Sequence, residues 1–407
     1  MRALAALVAL LLVAGALGAV SVDVQGGGSS PRLAAVPPPT TTAASAAPTA
    51  KTAAPATTPL ATAVAPVPPA LEAVIHQLMA FVEQARGLKF KQDVPVELLG
   101  AAAFQARLDA GAGVSQADAT KTEKVLRALG LLPAHVDVAA EERKLTTGAV
   151  IGLYDPRSRS LLIRGAEPTP LVRFTLVHEL THALQDQWFG LDRPDIAKRN
   201  DESSLAFSSL IEGDAVRIQN AYLRSLPAAQ QDAANKEEQA VAPDLGSIPH
   251  VLVELMYFPY TYGLRFVTSV VGVAGQSRLD AAFRDPPTTS SQILHPDRFV
   301  AGDPPVPVAQ PPAGGTLVDD GPLGQIGLFL VLSSQLGTDT AAHATDGWAG
   351  DDYAAYDAGA ATCVRDAVVM DSATDAAALD RALHAYARKR AGVTIEGGDP
   401  YQWTACG

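Results

Sequence analysis

Cysteine is nearly absent: Cys363 and Cys406 are the only two in 407 residues. That excludes a disulfide-built scaffold and a cysteine-rich zinc module. Charge is sparse at 18% and leans acidic, with 31 Lys plus Arg against 43 Asp plus Glu and a formal net charge of −12. No basic run stands out, so nucleic-acid binding by phosphate neutralisation is not expected. Aromatic residues make up only 6%, yet apolar residues together reach 48%. A chain of this length and composition is neither disordered throughout nor a polytopic membrane protein, and it can bury a sizeable core. No internal repeat of fixed period is present.

What is present first is Met1-Arg2 followed by an uncharged apolar run from Ala3 to Val20, with small residues Ala16, Gly18 and Ala19 near its end. That is the layout of a secretory signal, and its length is also at the lower edge of a membrane-spanning helix. Residues 1–20 are therefore read as a signal peptide or an N-terminal anchor through residues 3–20. Either reading makes the rest secreted or extracytoplasmic, and the second adds a membrane tether. Residues 21–69 change material. They hold Gly26-Gly27-Gly28, Pro37-Pro38-Pro39 and repeated Ala, Thr and Pro, with Asp23, Arg32 and Lys51 as their only charges. Such a stretch cannot bury enough apolar surface to offset its ordering entropy and reads as a disordered linker.

From residue 70 to 407 the pattern is globular, α+β and predominantly helical. Leu71, Val74, Ile75, Leu78, Phe81 and Val82 recur at helical spacing. A short strand is expected at Val94–Val96 and helices at Ala102–Leu108 and Thr120–Leu132. A β-hairpin is expected over Ala149–Arg164, with its turn at Asp155-Pro156-Arg157-Ser158. Further on, a helix is expected from Val251 to Val271, broken near Pro259, with others at Gly324–Leu336 and Asp375–Lys389. Ala361–Met370 reads as a strand. In an exported domain Cys363 and Cys406 are expected to pair, the alternative being two buried thiols.

Directly after the hairpin comes Leu171 to Trp188, uninterrupted by Pro or Gly. Thr169 is suited to the N-cap, Pro170 to the first helical position and Gly190 to the stop. Inside lies His178-Glu179-Leu180-Thr181-His182, the H-E-x-x-H pattern. Spacing of four puts both imidazoles on one helix face, one turn apart, where they can share an ion. Glu179 projects about 100° away and can reach a water at the ion without being a ligand. The flanking Leu176, Val177, Leu180 and Leu184 make the helix apolar on most sides, so its histidines need a compensating partner. Zinc supplies one.

A catalytic zinc site takes a third protein ligand. A second helix is expected from Asp201 to Leu226, and Glu212-Gly213-Asp214-Ala215 sits in its middle. A short turn would make the two helices antiparallel neighbours. Gly213 weakens a helix interior, which points to the close approach of another backbone. Glu212 is the expected third ligand.

These residues resemble the gluzincin group of zinc metallopeptidases. In that group two histidines and a downstream glutamate on the next helix bind zinc. The run His-Glu-Leu-Thr-His-Ala-Leu-Gln-Asp-Gln with Ile-Glu-Gly-Asp-Ala is similar to poorly characterised bacterial secreted proteins. Phe258-Pro259-Tyr260, Gln292 to Pro296 and Gly347 to Tyr353 are further shared-looking pieces. The resemblance implies a zincin-like metallopeptidase domain over 70–407 that acts on a peptide or protein substrate. It implies zinc at His178, His182 and Glu212, with Glu179 taking the proton of the attacking water. The oxyanion would need one more donor; His295, Tyr260, Tyr262 and Arg265 are the candidates, His295 and Tyr260 foremost. One departure stands out: thermolysin-like enzymes carry an orienting aspartate four residues after the glutamate ligand, where this chain has Val216. Asp214 and Asp186 are the replacements in reach. The hairpin would offer an edge strand to an extended substrate, or serve structure alone. The alternative to an enzyme is an envelope protein whose zinc site serves structure or partner binding. No feature specifies an oligomer.

Overall fold

The computed structural model describes residues 66–111, 116–146, 150–165, 167–242 and 244–407. Residues 1–20, nearly all of the linker and the first residue of the expected hairpin lie outside the described residues. The described chain is α+β and predominantly helical. It opens with α1 (Pro69–Arg86), β1 (Val96–Leu99), α2 (Ala101–Gly111), α3 (Gln116–Ala128) and α4 (Val138–Thr146). The hairpin strands β2 (Gly152–Asp155) and β3 (Ser160–Arg164) lead into α5 (Pro170–Phe189), which carries the H-E-x-x-H pattern. The short α6 (Pro194–Ala197) turns the chain into α7 (Asp201–Ser225), followed by α8 (Ala228–Val241) and α9 (His250–Arg284). Next come α10 (Ser290–Leu294), α11 (Pro296–Ala301), β4 (Thr316–Gly321), α12 (Gly324–Leu336) and α13 (Thr338–Thr345). The chain finishes with β5 (Trp348–Ala358), β6 (Ala361–Met370), α14 (Ala373–Lys389), β7 (Val393–Gly397) and β8 (Tyr401–Cys406).

Two sheets flank the helices. The first has the order β1-β3-β2, with β1 parallel and β2 antiparallel to β3, so β2 is an edge strand, and it packs along α5. The second runs β4-β5-β6-β8-β7. Cys363 and Cys406 lie directly opposite one another on β6 and β8 and form the expected disulfide, which closes the C-terminal strand onto the sheet.

Helix α5 is the centre of the fold because its sequence is apolar almost all round. Thr169 caps it by accepting from Val172 N, and Gly190 ends it at φ +71°. One core lies where α1 and the first sheet meet α5, through Leu78, Val82, Leu161, Val177, Leu180 and Leu184. A larger core joins α7, α9, α12 and the second sheet. Helix α7 is capped by Asn200, which accepts from Ser203 N at 2.8 Å, and runs antiparallel to α5.

Helix α9 crosses α7 at a glycine pair. A Cβ on Gly213 would sit 2.2 Å from the carbonyl carbon and oxygen of Gly263, and one on Gly263 would sit 2.1 Å from Ser209 O. The backbone approach expected at Gly213 is thus real, and its partner is Gly263. The expected break at Pro259 is not where α9 bends. The helix continues through Pro259 and leaves helical angles at Gly275 (φ 79°, ψ 174°). Phe258 and Tyr260 are buried on either side of the proline and hold it in the helix, whereas Gly275 is free to adopt positive φ.

The second sheet buries a carboxyl pair. Asp351 accepts from Leu323 N at 2.7 Å, from Gly324 N at 3.0 Å and from Trp348 Nε1 at 2.9 Å, while Asp366 accepts from Trp403 Nε1 at 2.9 Å. Asp366 also shares a hydrogen bond with Asp351, and burial together with that neighbouring charge raises Asp366 well above the usual carboxyl range. The buried pair is therefore held by a proton between the two carboxyls. Burial also pushes Asp351 up, to about 7. Both folded values exceed the unfolded one, so this stabilisation is complete below about pH 4 and declines as pH rises through the folded values. Asp366→Asn keeps a donor toward Asp351 without the titrating proton. Its urea midpoint is expected to gain on wild type between pH 5.5 and pH 8.5; midpoints that move in parallel would count against the shared proton.

Candidate metal centre

Antiparallel packing of α5 on α7 brings His178, His182 and Glu212 together, with one ligating atom from each lying within 4.8 Å of the others. His178 Nε2 is 3.0 Å and His182 Nε2 3.6 Å from Glu212 Oε2. All three side chains are at most 2% exposed. The group can hold a metal ion, and the surrounding hydrogen bonds give a direct test of fit.

Each imidazole is held by a glutamine. Gln185 Nε2 faces two acceptors, Ile211 O and Asp214 Oδ2, both at 3.1 Å. Its amide orientation is therefore fixed, and Oε1 is the atom 3.0 Å from His182 Nδ1. Gln219 repeats the arrangement: Nε2 donates to Phe174 O at 3.4 Å and Oε1 lies 3.2 Å from His178 Nδ1. An amide oxygen only accepts, so both Nδ1 atoms carry hydrogen and both Nε2 atoms present lone pairs. Those lone pairs converge on a carboxylate, which is also an acceptor. Three acceptors facing one another need a proton or a metal ion between them. His182 Nε2 and Glu212 Oε1 are buried without a hydrogen-bond partner, which is the same demand seen atom by atom. The donor set fits a divalent ion that takes imidazole nitrogen and carboxylate oxygen.

Burial opposes charge on His182, but the adjacent Glu212 outweighs it and holds the group up to about 9. Burial likewise opposes ionisation of Glu212, yet the two histidines keep its carboxyl below the ordinary range. For His178 burial prevails, helped by repulsion from His182, and lowers its value.

Glu179 lies on the neighbouring face, wholly buried. Its Oε2 accepts from the backbone N of Tyr154 on β2 at 2.7 Å, while Oε1 has no partner. Burial pushes the carboxyl up to about 8. The outward N–H of the edge strand is thus occupied at Tyr154, and an added strand cannot pair at that position while the bond stands. Tyr260 is also in the group. Its ring stacks on His178 with centroids 6.2 Å apart. Burial raises its hydroxyl well above the ordinary range, reinforced by Glu212, to which it is hydrogen-bonded. The glycine crossing explains this: Tyr260 is one turn before Gly263, and Glu212 is next to Gly213.

His295 is not brought to the group. It joins α10 to α11, with Nε2 3.1 Å from Gln325 Nε2 and 3.6 Å from Asp346 Oδ1. Helix α10 docks on the start of α7, where Ser290 N donates to Glu202 Oε2 at 2.7 Å, and Glu212 is about 15 Å further along that helix. The physical reason is register: the loop meets α7 three turns too early. Tyr262 is two residues from Tyr260 and so on roughly the opposite helix face; it packs on Phe258 at 5.0 Å, with Arg265 5.9 Å from its ring. Of the two expected orienting aspartates, Asp186 instead accepts from Tyr154 Oη at 2.8 Å and Leu191 N at 2.8 Å. Asp214 does orient a ligand, but through Gln185. Gln185 and Gln219 were not singled out from the sequence. Gln185 is one turn after His182, and Gln219 is two turns after Glu212, so helical spacing alone could have found both.

A family described as a domain of unknown function (DUF8575) matches residues 314–405. That stretch covers the second sheet and its helices, and no residue of the metal group lies in it. No curated protein and no solved structure matches the chain.

Proposed function

We propose that this chain is an exported, zinc-dependent metallopeptidase of gluzincin type. The observation that carries the reading is the convergence of two Nε2 lone pairs and a carboxylate, with the unpartnered Oε1 of Glu179 beside them. The architecture is in keeping with it: a zincin-like pair of antiparallel helices, the first preceded by a β-hairpin whose edge strand lies along it. The Cys363–Cys406 disulfide supports an extracytoplasmic location.

His178, His182 and Glu212 would hold the zinc. Bound there, zinc supplies a Lewis acid that acidifies water and polarises a carbonyl. Glu179 accepts the water's proton at Oε1 while Tyr154 N steadies Oε2, and it later delivers that proton to the leaving amine. The Tyr260 hydroxyl remains protonated and donates to developing negative charge. Gln185 and Gln219 keep each Nδ1 protonated and each Nε2 free for the ion.

A second reading is favoured by one observation: all four polar side chains are at most 2% exposed. Such burial suits a zinc site that serves structure alone. Glu179→Gln separates the two. The peptidase reading predicts that purified full-length chain with zinc cleaves peptides. It also predicts that Glu179→Gln keeps its zinc and loses about 10²–10⁴-fold in kcat. Equal hydrolysis by both proteins, or none by either, would favour the structural reading.

A further inference from the structure

Behind His182 the buried polar contacts run on beyond the metal group. Gln185 Oε1 fixes His182 Nδ1, and Gln185 Nε2 is held by Asp214 Oδ2 at 3.1 Å. The same Asp214 oxygen accepts from Arg86 Nε at 2.7 Å, and Arg86 Nη2 reaches Asp280 Oδ1, also at 2.7 Å. Arg86 is the last residue of α1 and is 1% exposed. Its guanidinium carbon lies 5.9 Å and 5.8 Å from the ring centroids of Phe189 and Phe283. Phe189 ends α5, and Asp280 and Phe283 lie on α9 beyond the Gly275 bend. One side chain thus joins α1, α5, α7 and the far part of α9.

Burying these ions costs several kcal/mol of desolvation each, and apolar residues of similar volume often serve stability as well. What they could not supply is direction. Arg86 presents a rigid fork that reaches two carboxylates at once. One branch donates to the Asp214 oxygen that also accepts from Gln185 Nε2, and the other lies in an ion pair with Asp280 without hydrogen-bond alignment. A lysine ammonium lacks the fixed direction between donors that the guanidinium supplies. Arg217 Nη2 holds the remaining Asp214 oxygen at 2.8 Å, so the carboxylate has one settled orientation. Gln185 then has one settled orientation too, and the hydrogen on His182 Nδ1 follows from it.

We infer that Arg86 is a positioning residue for the metal centre: acting through Asp214 and Gln185, it fixes the imidazole of His182 and thereby sets the affinity for the ion. The inference rests on the metal-binding reading. It also makes α1 part of the site, through a contact that spans 128 positions of sequence.

The test is a double-mutant cycle on the full-length chain. Zinc affinity is read by competition with a chromophoric chelator, and the visible bands of the cobalt-loaded protein report ligand geometry. Gln185→Met is expected to weaken zinc about 10–100-fold, as is usual when the partner of a ligating histidine is lost. Arg86→Lys should retain the far-UV circular dichroism of wild type, weaken zinc about tenfold and shift the cobalt bands. The double variant should bind no more weakly than Gln185→Met alone, because the two residues act in series. Affinity and cobalt bands of Arg86→Lys indistinguishable from wild type would overturn the inference, and so would losses that multiply in the double variant. If Arg86→Lys does not fold, Asp280→Asn takes its place in the cycle, since it removes the second anchor while leaving Arg86 paired with Asp214. Failure of wild type to bind zinc at all would instead overturn the metal-binding reading.

Discussion

Glu212→Gln is expected to weaken zinc binding by about 10³-fold while leaving the metal-free fold intact. Zinc held by protein ligands contributes about 10–16 kcal/mol, so removing one of three ligands forfeits about 4 kcal/mol, or about 10³ in affinity. The metal-free protein responds differently. Without a metal, the Glu212 carboxylate faces the two Nε2 atoms in a buried space, and a proton on His182, held there by the carboxylate, stands where the ion would be. A glutamine amide at position 212 can donate to one Nε2 and removes the charge. The urea midpoint of metal-free Glu212→Gln should therefore lie below that of metal-free wild type at neutral pH, because the buried His182–Glu212 ion pair is lost. His182→Ala should match it in lost zinc affinity and lose more stability, because it leaves a cavity beside an unpaired buried carboxylate. Competition titration and urea denaturation measure the two arms separately. Retained zinc affinity in Glu212→Gln would remove the carboxylate from the ligand set.

Gly213→Ala carries the largest expected effect on folding. An alanine Cβ there would lie 2.2 Å from main-chain atoms of Gly263, and backbone cannot swing aside as a side chain does. Overpacking a core costs about 1–3 kcal/mol and sometimes more, and here the helices must separate along their whole crossing. A loss of about 3 kcal/mol or more is expected, even though alanine is about 1 kcal/mol better than glycine within a helix. Gly272, also on α9, provides the control. A Cβ there meets nothing within 4 Å, so Gly272→Ala should be neutral or stabilise by up to about 1 kcal/mol. Separating α7 from α9 also draws Tyr260 away from Glu212, so any folded Gly213→Ala should bind zinc less tightly. A Gly213→Ala protein as stable as wild type would mean that the two backbones are not in contact.

The parts of the centre that could be read from sequence are those governed by helical spacing. His178, Glu179 and His182 lie within a single turn and a bit of α5. Glu212 was marked by the glycine beside it, because a helix tolerates glycine where a neighbour comes close. Tyr260 was a candidate only through the resemblance, as a hydroxyl donor; the crossing at Gly263, one turn away, is seen in the structure alone. What was not legible is what depends on how helices dock. His295 has the right chemistry, but its loop meets α7 at Ser290 and Glu202, and nothing local encodes that register. Arg86 stands at the end of an ordinary amphipathic helix, and only the packed structure puts it beside Asp214. The second sheet was largely missed for a different reason. Strand β5 is buried along nearly all its length, so it lacks the alternation that marks a half-exposed strand, and its aspartates look like turn residues. Strand β6 was recognisable from its Val364, Val368 and Val369. The bend in α9 was assigned to Pro259 because proline removes a hydrogen-bond donor; packing around it outweighed that loss.

The most direct measurement is X-ray absorption at the zinc edge on the purified full-length chain, together with its zinc stoichiometry by mass spectrometry. The account predicts one zinc per chain, with two imidazoles and otherwise oxygen donors at about 2.0–2.2 Å and no sulfur. A folded chain that takes up no zinc, or a zinc ion with fewer than two imidazoles around it, would contradict it.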